Sequence, residues 1–515
     1  MHRRRFLFLH PLLFAAFPVL SLYSRFGANI DWPVTIVPLA LVLGFTLLLW
    51  ATLWLLIRKA ERVSLLTSGV LLLTFTYGHA YHALAGLLPA GYKTIMSIFM
   101  LCLYGGVLAA LAFVLSRVRE NLPNVTRTTV LFGLMLLVYP TAHLLKWNFF
   151  SPIEISPPHL EATTGRGVAG KPNVYYLILD GFARADILQQ DYGCNDRWFV
   201  DSLAHMGFQV GDRAKTNYGQ TMMSLASSLN VSYIDDLISE RHRAIQDRRP
   251  LRHLLLRSAV LKFFSDIGYT IVCCSSGYTG TELKHTGLYL APFPSLNEFD
   301  QFLLQTTPVS SLLDLVNSDW QYDLHRERVL HAFEALPKVP AEAEPFFAFA
   351  HIVSPHPPFV FGSGGEKVMD LAPLAFEDGT TYTNVVSREE YIVRYRKQIE
   401  FIEHKTIDAV REILANSKQP PIIILQSDHG PGSHLNWEKP EDTDYSERLA
   451  ILNALYLPGK NAPQVSPNAT PVNTFRIILN GYFGTTLPLL ENRSYFSTWV
   501  SPYAYVAGKN EPAGH

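Results

Sequence analysis

Two stretches of the chain decide its fold: PNVYYLILDGFARAD at residues 172–186 and PIIILQSDHG at residues 421–430. In each stretch an aspartate comes within three residues of the end of a continuous apolar run, and a glycine follows the aspartate within two residues. Such runs are typical of strands that are buried on both faces of a parallel sheet. Three further runs have the same character: YTIVCC (269–274), PFFAFAHIV (345–353) and NALYLP (453–458).

Helical patterns separate these apolar runs, and the clearest of them covers residues 389–414. Alternation of apolar strands with helices indicates an α/β domain with a doubly wound, largely parallel sheet. We place this domain at residues 173–515, which is a generous length for a single core. In open parallel sheets, ligand-binding residues collect at the carboxyl ends of the strands.

The residues that follow three of these runs have metal-binding or acid–base chemistry. Asp180 follows the run VYYLIL, and Asp428 and His429 follow PIIILQS. His356 lies in the SPHPPF segment after PFFAFAHIV. Carboxylate and imidazole groups suit a divalent ion such as zinc or manganese. We therefore predict that Asp180, Asp428 and His429 bind one divalent metal ion.

Thr221 stands where the loop at residues 216–220 meets a helical pattern. A hydroxyl at a helix N-terminus lies where backbone N–H groups and the helix dipole favour an anion. A metal beside it would lower the pKa of the hydroxyl and make it a nucleophile. The alternative is that Thr221 is only a helix N-cap. With metal ligands predicted elsewhere in the domain, we favour the nucleophile.

The N-terminal third is apolar enough to cross a membrane several times. Runs without Lys, Arg, Asp or Glu, each about as long as the ~20 residues that span a bilayer, cover residues 6–24, 33–57, 63–92, 94–116 and 128–145. We predict a five-span transmembrane domain at residues 1–146 and an interfacial linker at residues 147–172. The first run could instead be a signal peptide, but it has no small-x-small cleavage site and four spans follow it.

Basic residues in the loops predict the orientation of these spans. Nine Lys and Arg residues lie on one side and two, Arg25 and Lys93, on the other. The positive-inside rule then predicts a multi-pass inner-membrane protein with a cytoplasmic N-terminus and an extracytoplasmic, periplasmic C-terminal domain. That compartment would allow Cys194, Cys273 or Cys274 to form disulfides, although nothing in the sequence requires them.

Composition excludes several classes of protein. Of the 515 residues 48% are hydrophobic and 17% are charged, below the ~25% charged that is usual for soluble chains. An ordinary soluble cytosolic enzyme is therefore excluded. The net charge of −1 offers no basic field for nucleic acid. No chain of intramembrane carboxylates is present, which disfavours a transporter.

Taken together, PNVYYLILDGFARAD, a threonine at a helix start, SPHPPF and IILQSDHG resemble the sulfatase-like branch of the alkaline phosphatase superfamily. With five spans in front, the chain resembles membrane phosphoethanolamine transferases and lipoteichoic acid synthases. The likeness covers the spans and about residues 172–460. It implies that Asp180, Thr221, Asp428 and His429 bind one metal, and that His356 contacts the transferred group.

The chain departs from these relatives at the first strand end. Asp180 is four residues before Arg184, where the relatives have three, and a one-residue bulge would reconcile the two. Asp186 is the alternative metal ligand, or else a helix N-cap. His434 is a candidate for a second metal or an acceptor site, against the alternative of a solvated loop histidine. Glu403 is interpreted as structural.

The resemblance implies a phosphotransferase that acts on two partners in the envelope. Thr221 would attack the phosphorus of a membrane phospholipid headgroup, and a phospho-threonine would then pass the headgroup to a glycan or lipid-linked acceptor. His356 would stabilise the phosphoryl oxygens or protonate a leaving oxygen. The alternatives are a membrane-anchored phosphodiesterase or phosphatase and a catalytically degenerate envelope scaffold. A sulfatase is disfavoured because QTMMSLASS (220–228) lacks the Cys-x-Pro-x-Arg pattern of formylglycine sites.

Overall fold

The computed structural model describes residues 9–26, 30–85, 87, 92–118, 122–161, 171–284, 287–369 and 375–507. The chain divides into two compact units. Residues 1–152 and 296–320 form the first, which we call the membrane unit. Residues 153–295 and 321–515 form the second, which we call the sheet unit.

Five long helices precede residue 152: α1 (Leu9–Phe26), α2 (Ile36–Ile57), α3 (Ala60–Ala85), α4 (Lys93–Arg117) and α5 (Leu122–Phe149). Four of them, α2 to α5, are long and apolar enough to cross a membrane. The first has 18 described residues, and the start of the predicted span at residues 6–24 lies outside the described part. Most side chains of α2 and α4 are exposed, as expected for helices that face lipid.

The sheet unit is built on a seven-stranded sheet in the order β2-β7-β6-β1-β5-β3-β4. The strands are β1 (Val174–Leu179), β2 (Phe208–Val210), β3 (Thr270–Cys274), β4 (Leu288–Leu290), β5 (Phe346–Ile352), β6 (Ile422–Gln426) and β7 (Asn453–Tyr456). The five strands from β6 to β4 run parallel, and β7 runs antiparallel to both of its neighbours, β6 and β2. The predicted doubly wound, largely parallel sheet is confirmed.

Strand register places three strand ends at one level. Leu179 pairs with Ile352 of β5, and Ile178 pairs with Gln426 of β6. Asp180 is two residues after Ile178, and Asp428 is two residues after Gln426. The two aspartates therefore leave the sheet side by side. The topology therefore brings together two aspartates that are 248 residues apart in the chain.

Helices separate the strands and cover both faces of the sheet. In chain order the remaining helices are α6 (Ala185–Asp191), α7 (Arg197–His205), α8 (Thr221–Leu229), α9 (Ile234–Leu237), α10 (Glu240–Ala244), α11 (Arg249–Leu256), α12 (Ala259–Asp266), α13 (Glu298–Gln305), α14 (Pro308–Val316), α15 (Trp320–Ala335), α16 (Thr380–Thr383), α17 (Arg388–Asn416), α18 (Tyr445–Leu449) and α19 (Pro471–Tyr482). A small antiparallel pair, β8 (Tyr495–Phe496) and β9 (Val506–Ala507), completes the described elements.

The continuous apolar strands supply a core to each face. In β1, Tyr175, Leu177 and Leu179 belong to one cluster with residues of α6, α7 and α17. The alternate residues Val174, Tyr176 and Ile178 belong to a second cluster with residues of α8, α11, α12 and α19. Because successive side chains of a strand point to opposite faces, a two-sided core needs an unbroken apolar run.

Candidate metal centre and active site

The strand ends bring Asp180, Asp428 and His429 into one cluster. Their ligand atoms all lie within 4.8 Å of one another. His429 Nε2 is 3.4 Å from Asp180 Oδ1 and 3.4 Å from Asp428 Oδ2. All three residues are buried, with 1–3% of their surface exposed.

The protonation of His429 decides the character of this cluster. Its Nδ1 lies 2.9 Å from the carbonyl oxygen of Gly430, which can only accept, so Nδ1 carries the proton. Burial and the charge of Arg448 lower the pKa of His429, against the opposing effect of Asp428 and Asp180. The neutral ring then turns the lone pair of Nε2 towards two carboxylate oxygens.

Two carboxylate oxygens of the cluster could bind a cation. Asp180 Oδ1 and Asp428 Oδ2 are buried and have no hydrogen-bond partner in the described part of the chain. Leaving a buried polar atom unpaired costs about 1–3 kcal/mol, and more when the group is charged. Two carboxylates and an imidazole nitrogen are ligands that zinc and manganese accept, so the residues present fit a divalent cation.

Thr221 joins the cluster from the start of α8. Its Oγ1 lies 3.1 Å from His429 Nε2, and the residue is partly exposed. The N-cap position belongs to Gln220, and Thr221 is the first helical residue, so the N-cap alternative is wrong. The cluster therefore has one member, a hydroxyl, that is accessible to solvent.

Gln220 fixes the start of the helix that carries Thr221. Its side-chain amide donates to the carbonyl oxygens of Ser497 (2.9 Å) and Thr498 (3.0 Å). Its carbonyl oxygen accepts from Arg248 (3.1 Å), whose guanidinium lies over the ring of Trp499. No local pattern in the sequence predicts these contacts of Gln220, because its partners are far away in the chain.

His356 lies beside the cluster. Its backbone N–H donates to the carbonyl oxygen of Asp180 (2.9 Å), and the centre of its ring is 6.0 Å from that of His429. Its Nδ1 is 2.6 Å from the carbonyl oxygen of Pro357, which orients Nε2 away from that carbonyl. Nε2 lies 3.9 Å from Asp378 Oδ2.

Asp378 and Arg448 form a buried ion pair beside the site. Arg448 Nη1 donates to Asp378 Oδ2 (2.8 Å) and to the carbonyl oxygen of Gly430 (2.9 Å). Its Nε donates to the carbonyl oxygen of Gly219 (2.9 Å). One guanidinium thus joins the loop before Thr221 to the loop after His429. Neither Asp378 nor Arg448 follows a strand, and no local pattern marks them.

Gly430 allows this loop to pass close to the backbone that precedes β7. A Cβ atom at Gly430 would lie 2.0 Å from the carbonyl oxygen of Glu447, and the backbone N–H of Gly430 donates to the carbonyl oxygen of Arg448 (2.8 Å). A larger residue would push the loop, and with it His429, away from Thr221.

His351 holds the other oxygen of Asp180. Its Nε2 is 3.2 Å from Asp180 Oδ2, and its Nδ1 is 2.8 Å from Thr281 Oγ1. This contact leaves Oδ1 of Asp180 to face the cluster. The sequence analysis missed His351, although a signal was present: it is the one titratable residue inside the apolar run PFFAFAHIV.

The surroundings keep the carboxylates of the site charged. Burial by itself raises the pKa of Asp180, but His356, His351 and His429 together bring it below its usual value. Burial likewise raises the pKa of Asp378, and His356, Arg448 and His429 outweigh it. Both groups are therefore anionic at neutral pH.

The alternatives from the sequence lie elsewhere. Asp186 pairs with Arg184 at 2.7 Å, has 43% of its side chain exposed, and is not the N-cap of α6. Asp180 therefore belongs to the cluster and Asp186 does not. His434 is partly exposed, and its Nδ1 lies 3.5 Å from Glu447 Oε2. All four cysteines are free.

No protein-family model matches this chain, and no curated protein matches it in sequence. Solved structures do match. The C-terminal periplasmic domain of EcEptC from Escherichia coli is 13% identical with a TM-score of 0.43, covering 70% of this chain and 98% of that one; the same domain is known in complex with Zn.

A second match extends over the membrane helices. The integral membrane protein lipooligosaccharide phosphoethanolamine transferase A (EptA) from Neisseria meningitidis is 13% identical with a TM-score of 0.35, covering 87% of this chain and 85% of that one. A 2-O GAG sulfatase is 14% identical with a TM-score of 0.36, covering 67% and 76%. These are the kinds of protein that the sequence motifs resemble, and the roles proposed for individual residues rest on this chain's own geometry.

Proposed function

We propose that this protein is a membrane-anchored, metal-dependent phosphotransferase. It moves a phospholipid headgroup, such as phosphoethanolamine or phosphoglycerol, to a hydroxyl of an envelope glycan or lipid. The observation that carries the proposal is the convergence of Thr221 Oγ1, Asp180 Oδ1 and Asp428 Oδ2 around the lone pair of His429 Nε2.

Asp180, Thr221, Asp428 and His429 would hold the metal. A bound zinc or manganese ion would supply the positive charge that lowers the pKa of the Thr221 hydroxyl and offsets charge on the phosphoryl oxygens. The chain's own part is to fix the ligands: His351 orients Asp180, the Gly430 carbonyl sets the His429 tautomer, and the contacts of Gln220 place Thr221.

In the first step Thr221 Oγ attacks the phosphorus of the donor. Thr221 gives up its hydroxyl proton to solvent as the new bond joins Oγ to phosphorus, and the bond between phosphorus and the glycerol oxygen of the lipid breaks. Diacylglycerol leaves with a proton on that oxygen, and His356 Nε2, when protonated, is placed to donate it or to bind a phosphoryl oxygen. Thr221 then carries the phospho-headgroup.

In the second step the acceptor hydroxyl attacks the same phosphorus. The bond from phosphorus to Thr221 Oγ breaks, and His356, now neutral, can take the proton of the acceptor hydroxyl. Thr221 Oγ takes a proton back from solvent, which restores the free threonine. The accessibility of Thr221, in a cluster whose other members are buried, supports an attack by groups that arrive from outside.

The membrane helices fit a donor that resides in a bilayer. We propose a multi-pass inner-membrane protein with a cytoplasmic N-terminus and the sheet unit in the periplasm, from the excess of basic residues in one set of loops. A site attached to the membrane meets its lipid donor at a high effective concentration.

The test is the intact mass of the full-length protein in detergent after incubation with zinc or manganese and phospholipids of different headgroups. The expected result is a mass increment on Thr221 equal to one phospho-headgroup, which identifies that headgroup. The increment should disappear in Thr221→Ala and persist in Thr383→Ala, which alters another partly exposed helical threonine.

Acceptor addition separates transfer from hydrolysis. With an acceptor glycolipid, the increment should move from Thr221 to the acceptor. Release of the headgroup phosphate to water, at the same rate with and without acceptor, would make the protein a hydrolase. Bound metal without any increment or release, on every headgroup, would contradict the enzymatic proposal.

A further inference from the structure

Residues 296–320 leave the sheet unit and belong to the membrane unit. The chain therefore passes between the two units at three places, after residues 152, 295 and 320. We call residues 296–320 the excursion. It carries α13 and α14, and it begins and ends within the domain that the sequence analysis placed at residues 173–515.

The excursion is packed into the membrane unit through α13. Phe299 is fully buried and Leu303 nearly so, in a cluster with Val19 and Tyr23 of α1. The ring of Phe26 lies 5.8 Å from that of Phe299. These contacts stabilise the position of α13 in the membrane unit, since a buried aromatic pair contributes more to stability than its buried area alone.

Gly78 of α3 contacts the turn between α13 and α14. The backbone N–H of Gly78 donates to the carbonyl oxygen of Thr306 (2.9 Å). A Cβ atom at Gly78 would lie 2.0 Å from the carbonyl oxygen of Gln305. Backbone can approach backbone this closely only where one residue lacks a side chain, so the contact is specific.

The helix α14 lies beside the start of α4. Its buried Ser311 lies close to Tyr77 of α3. Asp314 accepts from Trp320 Nε1 (2.9 Å) and lies within electrostatic reach of Lys93, the first residue of α4. Because the basic loops predict that Lys93 is extracytoplasmic, the excursion lies at the outer end of the spans.

The outward face of α14 is apolar, whereas its one buried residue is Ser311. This is the reverse of a helix on a water-facing surface. The exposed apolar residues, with their exposed fractions, are Val309 (45%), Leu312 (51%), Leu315 (39%) and Val316 (88%). The neighbouring start of α4 exposes Ile95, Ile98 and Phe99 in the same way, so the apolar face of α14 continues the lipid-facing surface of a spanning helix.

Neither helix of the excursion is long enough to cross the bilayer. Its helices have 8 and 9 residues, about 12–14 Å at 1.5 Å per residue, against a hydrocarbon core of about 30 Å. Short helices with an apolar face next to spans suit the interface between headgroups and acyl chains.

We propose that α14 is seated in the outer interface of the phospholipid bilayer, with Val309, Leu312 and Val316 at the boundary between headgroups and acyl chains. The excursion is then a second membrane attachment of the sheet unit, besides the linker at residues 147–172. The proposal does not depend on the chemistry of the active site.

The test places single nitroxide labels on the full-length protein in phospholipid nanodiscs, with Cys102 and Cys194 replaced by serine and the buried Cys273 and Cys274 retained. The labelled variants are Leu312→Cys and Val316→Cys. Two matched controls are Ile98→Cys, on the exposed face of α4, and Lys460→Cys, on an exposed loop of the sheet unit. The probes are molecular oxygen, which concentrates in lipid, and a water-soluble nickel chelate.

The expected ratio of oxygen to nickel accessibility at positions 312 and 316 is close to that at 98 and several-fold above that at 460. Lipids that carry a quencher near the headgroup should quench a fluorophore at 312 more strongly than lipids with a deep quencher. High nickel accessibility at 312 and 316 would overturn the proposal. So would low accessibility to both probes, which would mean that protein covers the helix.

Discussion

The sheet unit contains two groups of buried carboxylates, and their surroundings shift the pKa values of the two groups in opposite directions. Asp180 and Asp378 are 3% and 4% exposed, and Glu403 and Asp196 are 3% and 6% exposed. Burial raises the pKa of all four. Around Asp180 and Asp378, histidines and Arg448 reverse this effect, so both carboxylates stay charged.

Around Glu403 no such reversal occurs. Burial, with Asp196 and Glu400 nearby, raises the pKa of Glu403 to about 9, and burial raises that of Asp196 to about 6. Glu403 is thus a neutral acid at pH 7, which agrees with its interpretation as structural. The comparison teaches that burial alone does not keep a carboxylate charged at neutral pH, whereas compensating positive partners do.

The largest expected effect is on the cluster itself. Asp428→Asn removes one of the two unpartnered carboxylate oxygens and should abolish stoichiometric zinc or manganese binding, with turnover down by at least about 10³-fold. Metal content of the purified protein and headgroup transfer measure it. Asp196→Asn, the same substitution in the other pair, should leave both unchanged, and an equal loss in the two variants would contradict the comparison.

Breaking the ion pair of Asp378 comes next. Arg448→Met leaves Asp378 buried without its cation, which should lower the free energy of unfolding by about 3–5 kcal/mol. Denaturant unfolding in detergent measures it. The double variant Arg448→Met/Asp378→Leu should recover part of the loss, because no charge then remains buried. A double variant less stable than the single would show that the pair contributes through other contacts.

Glu403 predicts a dependence of stability on pH. The unfolded carboxyl releases its proton near pH 4.5 and the folded one near pH 9, so this contribution to stability is present at low pH and is lost as pH rises between these values. At 1.36 kcal/mol per pH unit, the loss between pH 5 and pH 8 is at most about 4 kcal/mol. Glu403→Gln should flatten a plot of Tm against pH, with the largest gain at pH 8. A plot that keeps its slope in this variant would assign it to other groups.

The smallest expected effect is at Asp186. Its ion pair with Arg184 is partly exposed, so Asp186→Asn should change stability by about 1 kcal/mol or less and leave metal content unchanged. Elemental analysis beside a thermal unfolding curve checks both. Loss of metal in this variant would restore Asp186 as a ligand in place of Asp180.

Sequence reasoning identified the strands and the residues at their ends. The runs that end at Asp180 and Asp428 are legible because a strand buried on two faces must be apolar throughout. The residues directly after such strands gather at the carboxyl edge of a parallel sheet. The same reasoning found Thr221 and His356. It could not find Asp378, Arg448 or Gln220, whose partners come from distant loops without any periodicity.

By itself, then, the sequence determined four of its five predicted apolar spans, the two-sided sheet and the four residues of the cluster, since each depends on a local pattern or on a rule of sheet topology. Only the tertiary structure decided the tautomer of His429, the ion pair beside it and the packing of residues 296–320 with the membrane helices. These depend on which distant segments fill the same space, and in a close-packed protein that is settled by the shapes of all the elements together.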